Sequence, residues 1–278
     1  MASPRRLMAL WGTYARMNLV LLMRSKQQFV TYIVGDLLAR AGTIAAVLLL
    51  AERFEGIGGW SQAELMFLLG YGLMVSGVEM LFFSYNVSAI SRRIGRGQLD
   101  HSLLQPQPLW VTFVTEGFAP LDALALMLPA ALMMGVPVLG GAVALTPSFP
   151  LLLAGSLVAS TVVLVAFNFL FGAVAFWAPQ GAEELSPAAT GLLQSLKIFP
   201  LDIAGPALRT LLTSVVPAGF LAWMPATALL GRSGPSALAA TFVAAAAVAT
   251  IATFTFQKGL TRYGKTGSQR YSEFGHRR

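Results

Sequence analysis

No cysteine occurs in the 278 residues, which excludes disulfides, thiolate nucleophiles and cysteine-based metal centres. Histidine is almost as scarce: His101 and His276 are the only two, too few for a histidine metal cluster. Charge is the third scarcity. Only 11% of residues are charged against 56% hydrophobic, where soluble domains carry roughly 25% charged residues, and mean hydropathy is +0.68. That balance excludes a soluble domain and fits a chain immersed in lipid. A helical span takes about 20 mostly apolar residues, so six spans would use roughly half the chain and leave modest loops. One membrane domain fits, without a second soluble one.

The apolar runs predict an all-α, polytopic membrane protein with six transmembrane helices. A helix within 1–27 carries Leu7, Leu10, Trp11, Tyr14, Met17 and Leu21 on one stripe and Arg16 on the opposite face, a pattern suited to lying in the membrane interface. Arg5 and Arg6 before Leu7 resemble the start of a signal peptide, but Arg16 and Asn18 interrupt the apolar stretch and no small-residue cleavage site follows, so the segment is read as mature sequence. Spans are expected at 28–50, 61–85, 109–134, 150–177, 185–202 and 235–256. Ser61 and Glu64 have capping-box spacing, Pro120 and Pro129 are expected to kink the third span, and Ser233 is expected to cap the last one, with Pro235 at an early helical position. Segment 203–234, broken by Pro206, Pro217 and Pro225, is too interrupted for a straight span and too apolar for a solvated loop. Re-entrant helices buried against protein are expected there.

The formal net charge of +7 reads as topology rather than nucleic-acid binding, because the basic residues collect beside apolar runs. Arg5, Arg6, Arg16, Arg24 and Lys26 precede the first span. Arg92, Arg93 and Arg96 lie in the 88–108 loop, and Lys258, Arg262, Lys265, Arg270, Arg277 and Arg278 lie in the 257–278 tail. These are fourteen of the nineteen lysines and arginines. Opposite them stand Arg53, Arg209 and Arg232, with Arg40 and Lys197 inside spans. The positive-inside rule then puts both termini in the cytoplasm, with the chain in the inner (plasma) membrane and the basic flanks against membrane lipids.

Residues 259–266 (GLTRYGKT) match the Walker A pattern G-x-x-x-x-G-K-[ST]. A phosphate-binding loop joins a buried strand to a helix inside an α/β domain that supplies the magnesium-binding carboxylate. Here the preceding element is a membrane helix, so the stretch from Gly259 to Thr266 is read as basic juxtamembrane tail, with no nucleotide bound.

The most distinctive stretch is 91–108 (SRRIGRGQLDHSLLQPQP). Its basic lead into Gly97, Leu99, Asp100, Leu103, Leu104 and Pro106 resembles the G-x-L-D-x-x-L-L-x-P run of ABC-2 type permeases, in the subgroup of about 260–280 residues. FEGIGGW at 54–60, FPLD at 199–202, Val216-Pro217, Met224-Pro225-Ala226, Gly259-Leu260 and Arg262-Tyr263 agree in order along the chain. The resemblance implies an exporter's permease subunit that pairs with a second permease, identical or a sister. It also implies separately encoded ABC ATPase subunits that bind ATP and Mg, so that this chain holds no cofactor and is not itself an enzyme. Residues 88–108 would hold the coupling helix. Arg92, Arg93 and Arg96 would meet the ATPase or merely set topology, and Leu99, Leu103 and Leu104 would be available to it. Gln105 departs from the basic residue expected before Pro106.

Asp36, Arg40, Glu79, Glu116 and Asp122 fall within expected spans, where ionised groups face protein or water-filled cavities. Asp36 and Arg40, four apart, have the order of an intrahelical ion pair. Glu79 has no local counter-charge, and Glu116 lies close enough to a span end to reach water. With Asp122 and the aromatics Phe82, Phe83, Phe118, Phe167 and Trp177, Glu79 would suit the path of a cationic amphipathic substrate; the plainer alternative is helix packing. A polytopic membrane enzyme would need clustered catalytic groups that the sequence does not show. A secondary transporter would be expected to show internal repeats.

Overall fold

A computed structural model describes residues 4–23, 58–83, 85–143 and 145–267, with isolated positions between 25 and 52. The described residues are helical and contain no β-strand element. In chain order the helices are α1 (Pro4–Met23), α2 (Gln62–Phe82), α3 (Tyr85–Ser88), α4 (Ile90–Gly95), α5 (Leu99–Leu103), α6 (Leu109–Glu116), α7 (Pro120–Leu139), α8 (Phe149–Gly172), α9 (Pro179–Leu196), α10 (Pro206–Ser214), α11 (Trp223–Leu229) and α12 (Pro235–Thr266). The predicted first span, 28–50, is described only at isolated positions, and Asp36 and Arg40 lie outside the described residues.

Among the described residues, four helices are long and apolar enough to cross a membrane: α2, α7, α8 with its 3-10 extension to Phe176, and α12. The capping box at α2 is present, Ser61 N donating to Glu64 Oε2 at 2.8 Å and Glu64 N to Ser61 Oγ at 3.3 Å. Helices α2 and α7 lie side by side, as do α8 and α12. Gly70 and Gly77, two turns apart on one face of α2, leave no room for a Cβ against Ala130, Met134 and Met127 of α7. Small residues bring membrane helices close, where van der Waals contact replaces the hydrophobic drive absent in lipid.

The predicted third span is two helices. Gly117 ends α6, and Pro120, with φ fixed and no N–H to lose, opens α7 at its first position instead of kinking it. The break is held from outside, Ala119 N donating to Leu81 O of α2 at 3.1 Å. In place of the predicted fifth span, α9 begins earlier, at Pro179, carries Glu183 and Glu184, and is not among the four apolar helices. Beyond it, Pro206–Ser214 and Pro217–Leu229 form a pair bent by 71°, the geometry of a broken span or a re-entrant loop. Gly234, not Ser233, precedes α12, and Ser233 Oγ donates to Thr227 Oγ1 instead.

At its 32 residues, α12 is about 48 Å long, well beyond the ~30 Å hydrocarbon core. Its last turns reach the end of the molecule where 85–118, the end of α8 and the start of α9 collect. The opposite end gathers the starts of α2 and α12 around 201–232, where Arg232 pairs with Glu64 at 2.9 Å. Helix α1 packs along α6 and α7. Its half-buried stripe runs through Leu7, Leu10, Trp11 and Tyr14 as expected, then continues through Asn18, while Met17 is exposed.

Candidate functional site

Two short helices, α4 and α5, form a platform at the basic end. Gly97 joins them at φ +69°, a left-handed turn that a side chain would strain. Ile90, Ile94 and Leu99 are buried in a cluster with Phe113, Phe176, Ala182 and Tyr263. Polar ties then fix the platform to three other helices. Arg93 Nη2 donates to Glu116 Oε2 at 2.8 Å and to Ser102 Oγ at 3.1 Å, with its guanidinium 5.4 Å from the centre of the Phe113 ring. Arg96 meets Glu183 of α9 through two bonds, at 3.2 and 3.3 Å, and that carboxylate raises the affinity of Arg96 for its proton. Tyr263 of α12 donates to Asp100 Oδ1 at 2.7 Å.

Buried apolar contact and charge-assisted bonds on three sides make a stiff mount. What it presents outward is Leu103, 44% exposed, and Leu104, 84% exposed, together with exposed Arg92 and Pro106. Leu99 is not available to a partner, because the chain's own core covers it completely. Arg93 and Arg96 are engaged within the chain. Gln105 Nε2 donates to Glu116 Oε1 at 3.2 Å, filling the donor role that a basic residue would have there.

The Walker-like residues are helical throughout, as the last turns of α12. A Cβ at Gly259 would collide with the Phe176 ring, so this glycine serves close helix packing rather than phosphate approach. Gly259→Val is expected to destabilise the protein by about 2 kcal/mol through overpacking, seen as a lower melting temperature in detergent. An unchanged melt would refute the packing role.

Deeper between the helices, Glu79 of α2 is buried and both its carboxylate oxygens accept bonds: from Asn168 Nδ2 of α8 at 3.0 Å and from Gln194 Nε2 of α9 at 3.3 Å. Thr190 Oγ1 donates to Asn168 Oδ1 at 2.7 Å, and Lys197 Nζ bonds Ser76 Oγ and Gln194 Oε1. Glu79 therefore has a charged neighbour after all, Lys197, linked to it through Gln194, whose amide donates to Glu79 and accepts from the lysine. It is remote in sequence and adjacent in space. Glu116, expected to reach water, pairs with Arg93 instead, and Asp122 accepts from Asn18 Nδ2 at 3.4 Å.

The aromatics expected along one substrate path are divided. Phe82 and Phe118 pack on Trp11 of α1, with ring centres 5.7 and 5.5 Å from the indole. Phe83 instead lines an apolar cleft of about 490 Å³ between α6, α8 and α12, with Trp110, Phe113, Phe169, Phe256 and Leu260.

Compared with known families, residues 37–267 match the sequence model of one described as ABC-2 family transporter protein. The chain belongs to the ABC-2 transporter family. No curated protein and no solved structure matches it. Membership makes the chain a membrane-embedded transport subunit, an ABC permease. It also gives the platform its context, since residues 85–118 and the end of α12 all fall within the matched region.

For this ABC-2 protein, the residues that tie distant segments include Glu183, Asn168 and Gln194, which sequence reasoning passed over, and Tyr263 and Lys197, which it named without the ties they make. A polar residue inside an apolar run, such as Asn168, was the available signal. Its partners are set by the fold.

Proposed function

We propose that the protein is the permease subunit of an ABC exporter, with six spans in the inner (plasma) membrane and both termini in the cytoplasm. The spans are 28–50, α2, α7, α8, α12 and, although less apolar than these, α9, which runs from Glu183 at the platform toward Gln194 beside Glu79. Helices α10 and α11 are re-entrant at the extracytoplasmic end, and α1 lies in the cytoplasmic interface. Two permeases, identical or sister, form the path, and two separately encoded ATPases supply ATP hydrolysis with Mg. The observation that carries this reading is the stiff mount of α4 and α5, which offers Leu103 and Leu104 while burying every other apolar side chain in those two helices. A force-transmitting contact needs rigidity behind it and apolar surface in front. The cleft beside Phe83 suits the apolar body of an amphipathic substrate, a drug, lipid or natural product. Both oxygens of Glu79 are satisfied within the chain, which favours a structural role over substrate contact.

Purified permease mixed with its ATPase is expected to form a stable complex whose hydrolysis rate rises when the permease is present in proteoliposomes. A chain that transports substrate down an ion gradient with no ATPase present would refute the reading.

A further inference from the structure

We propose that the cavity beside Asp202 and Arg232 binds the headgroup of a zwitterionic phospholipid that carries a phosphate and a primary ammonium. The cavity, about 430 Å³, is lined by Asp202, Trp223, Thr227, Arg232, Ser233 and Ala237 among others, at the end of the molecule away from the basic platform.

One side of it suits an ammonium. Asp202 Oδ2 accepts from two indoles, Trp60 Nε1 at 2.6 Å and Trp223 Nε1 at 2.9 Å. Its Oδ1 makes no hydrogen bond among the described residues, and Asp202 is exposed. Arg209, the nearest cation in sequence, donates to the backbone oxygens of Leu201 and Asp202, not to the carboxylate. A fixed carboxylate is left with one oxygen open.

The other side suits a phosphate. Arg232 Nη1 is used by Gly59 O at 3.0 Å and Glu64 Oε1 at 2.9 Å, while Nε and Nη2 make no hydrogen bond among the described residues. The amino end of α12 adjoins, with Ala237 in the wall and no side-chain cap at Gly234. The positive end of the helix dipole favours an anion there. The two sides are coupled by Trp60, whose N–H holds Asp202 and whose face carries Arg232 at 4.5 Å. The opposite charges therefore flank one indole, Asp202 at its edge and Arg232 on its face, an arrangement that suits the two ends of a short phosphoethanolamine headgroup.

Depth and selectivity point the same way. Tryptophans sit at headgroup level in membrane proteins, and the neighbouring α10 exposes Leu208 and Leu211, followed by Val215, as apolar surface for acyl chains. A quaternary ammonium would need open aromatic faces. Here the faces of Trp60 and Trp223 are already occupied by Arg232 and by Arg209, the latter at 5.8 Å. The open Asp202 oxygen instead rewards an ammonium that has N–H groups to donate, so ethanolamine is preferred over choline.

The assignment requires the chain to be in a bilayer but does not require an ATPase, so it stands or falls separately from the coupling reading. The test is native mass spectrometry of the full chain released from nanodiscs of equal phosphatidylethanolamine, phosphatidylcholine and phosphatidylglycerol, with glycerophosphoethanolamine as a soluble competitor. Wild type is expected to retain phosphatidylethanolamine about tenfold over the other two. Asp202→Asn, which keeps an acceptor for the indoles, is expected to lose that preference, and Arg232→Gln to weaken retention of all three lipids. Equal retention of the three lipids by wild type, which needs no variant to fold, would overturn the assignment. So would an undiminished preference in a folded Asp202→Asn protein. Binding of the soluble competitor as tightly as the lipid would overturn the bilayer as the source.

Discussion

Replacing Leu103 and Leu104 together by Asp is expected to abolish ATPase-driven export while leaving the amount and melting temperature of the permease unchanged. Both side chains point away from the chain's own core, so folding loses little, in keeping with surface substitutions at about ±0.5 kcal/mol. Docking loses much more. An apolar residue seated in a partner pocket is commonly worth about 2 kcal/mol, roughly 30-fold in affinity, and a carboxylate in its place adds the cost of desolvating a charge. The mount behind them is untouched, because Arg93–Glu116, Arg96–Glu183 and Tyr263–Asp100 involve neither leucine. Leu99→Asp makes the contrast. That side chain has no exposure, and the variant is expected to fail in folding rather than in docking. Measurement of complex formation, permease-stimulated hydrolysis and export in the same preparation separates the two. Wild-type export by the Leu103→Asp, Leu104→Asp protein would remove α5 as the coupling contact.

Why the platform was only half visible in sequence follows from what sequence periodicity reports. Runs such as 61–85 and 150–177 announced α2 and α8 within a few residues, because a membrane helix satisfies its own backbone and needs only apolar length. The break at 117–119 is marked only by Gly117 and Pro120, which read equally well as a kink in one span. Apolar residues flank it on both sides, and the chain turns there because Ala119 finds Leu81 O on another helix. The extension of α12 through Thr266 was likewise hidden, since residues that read as basic tail are held helical by contacts of Gly259 and Tyr263 with Phe176 and Asp100. In the 91–108 run the order of residues singled out the segment, but not which leucine faced outward. A five-residue helix after a left-handed glycine has no period long enough to show that. The pairing of Glu79 with Lys197 is the extreme case, because the two lie on different helices and only packing makes them neighbours.

That pairing carries the other large effect. Lys197→Met is expected to destabilise the permease by about 3–5 kcal/mol, the usual cost of leaving a buried charge without its partner, read as a fall in melting temperature in detergent. Glu79 would retain its bonds from Asn168 and Gln194 but lose the lysine that is joined to it through Gln194. Adding Glu79→Gln to Lys197→Met is expected to restore most of the loss. With the lysine gone, nothing holds Gln194 Oε1 in its present orientation except Ser76 Oγ. The Gln194 amide can then turn over, accept from the amide introduced at position 79 and donate to Ser76, so that a neutral network replaces the ionic one with its polar groups still satisfied. Glu79→Gln alone, with Lys197 still pinning Gln194 and two amide donors facing each other, should be worse than the double variant. The two sites would thus show a strong favourable interaction term in a double-mutant cycle. Additive effects of the two substitutions would mean that Glu79 and Lys197 are independent, and that the hydrogen bonds through Asn168 and Gln194 join α2, α8 and α9 without help from the charges.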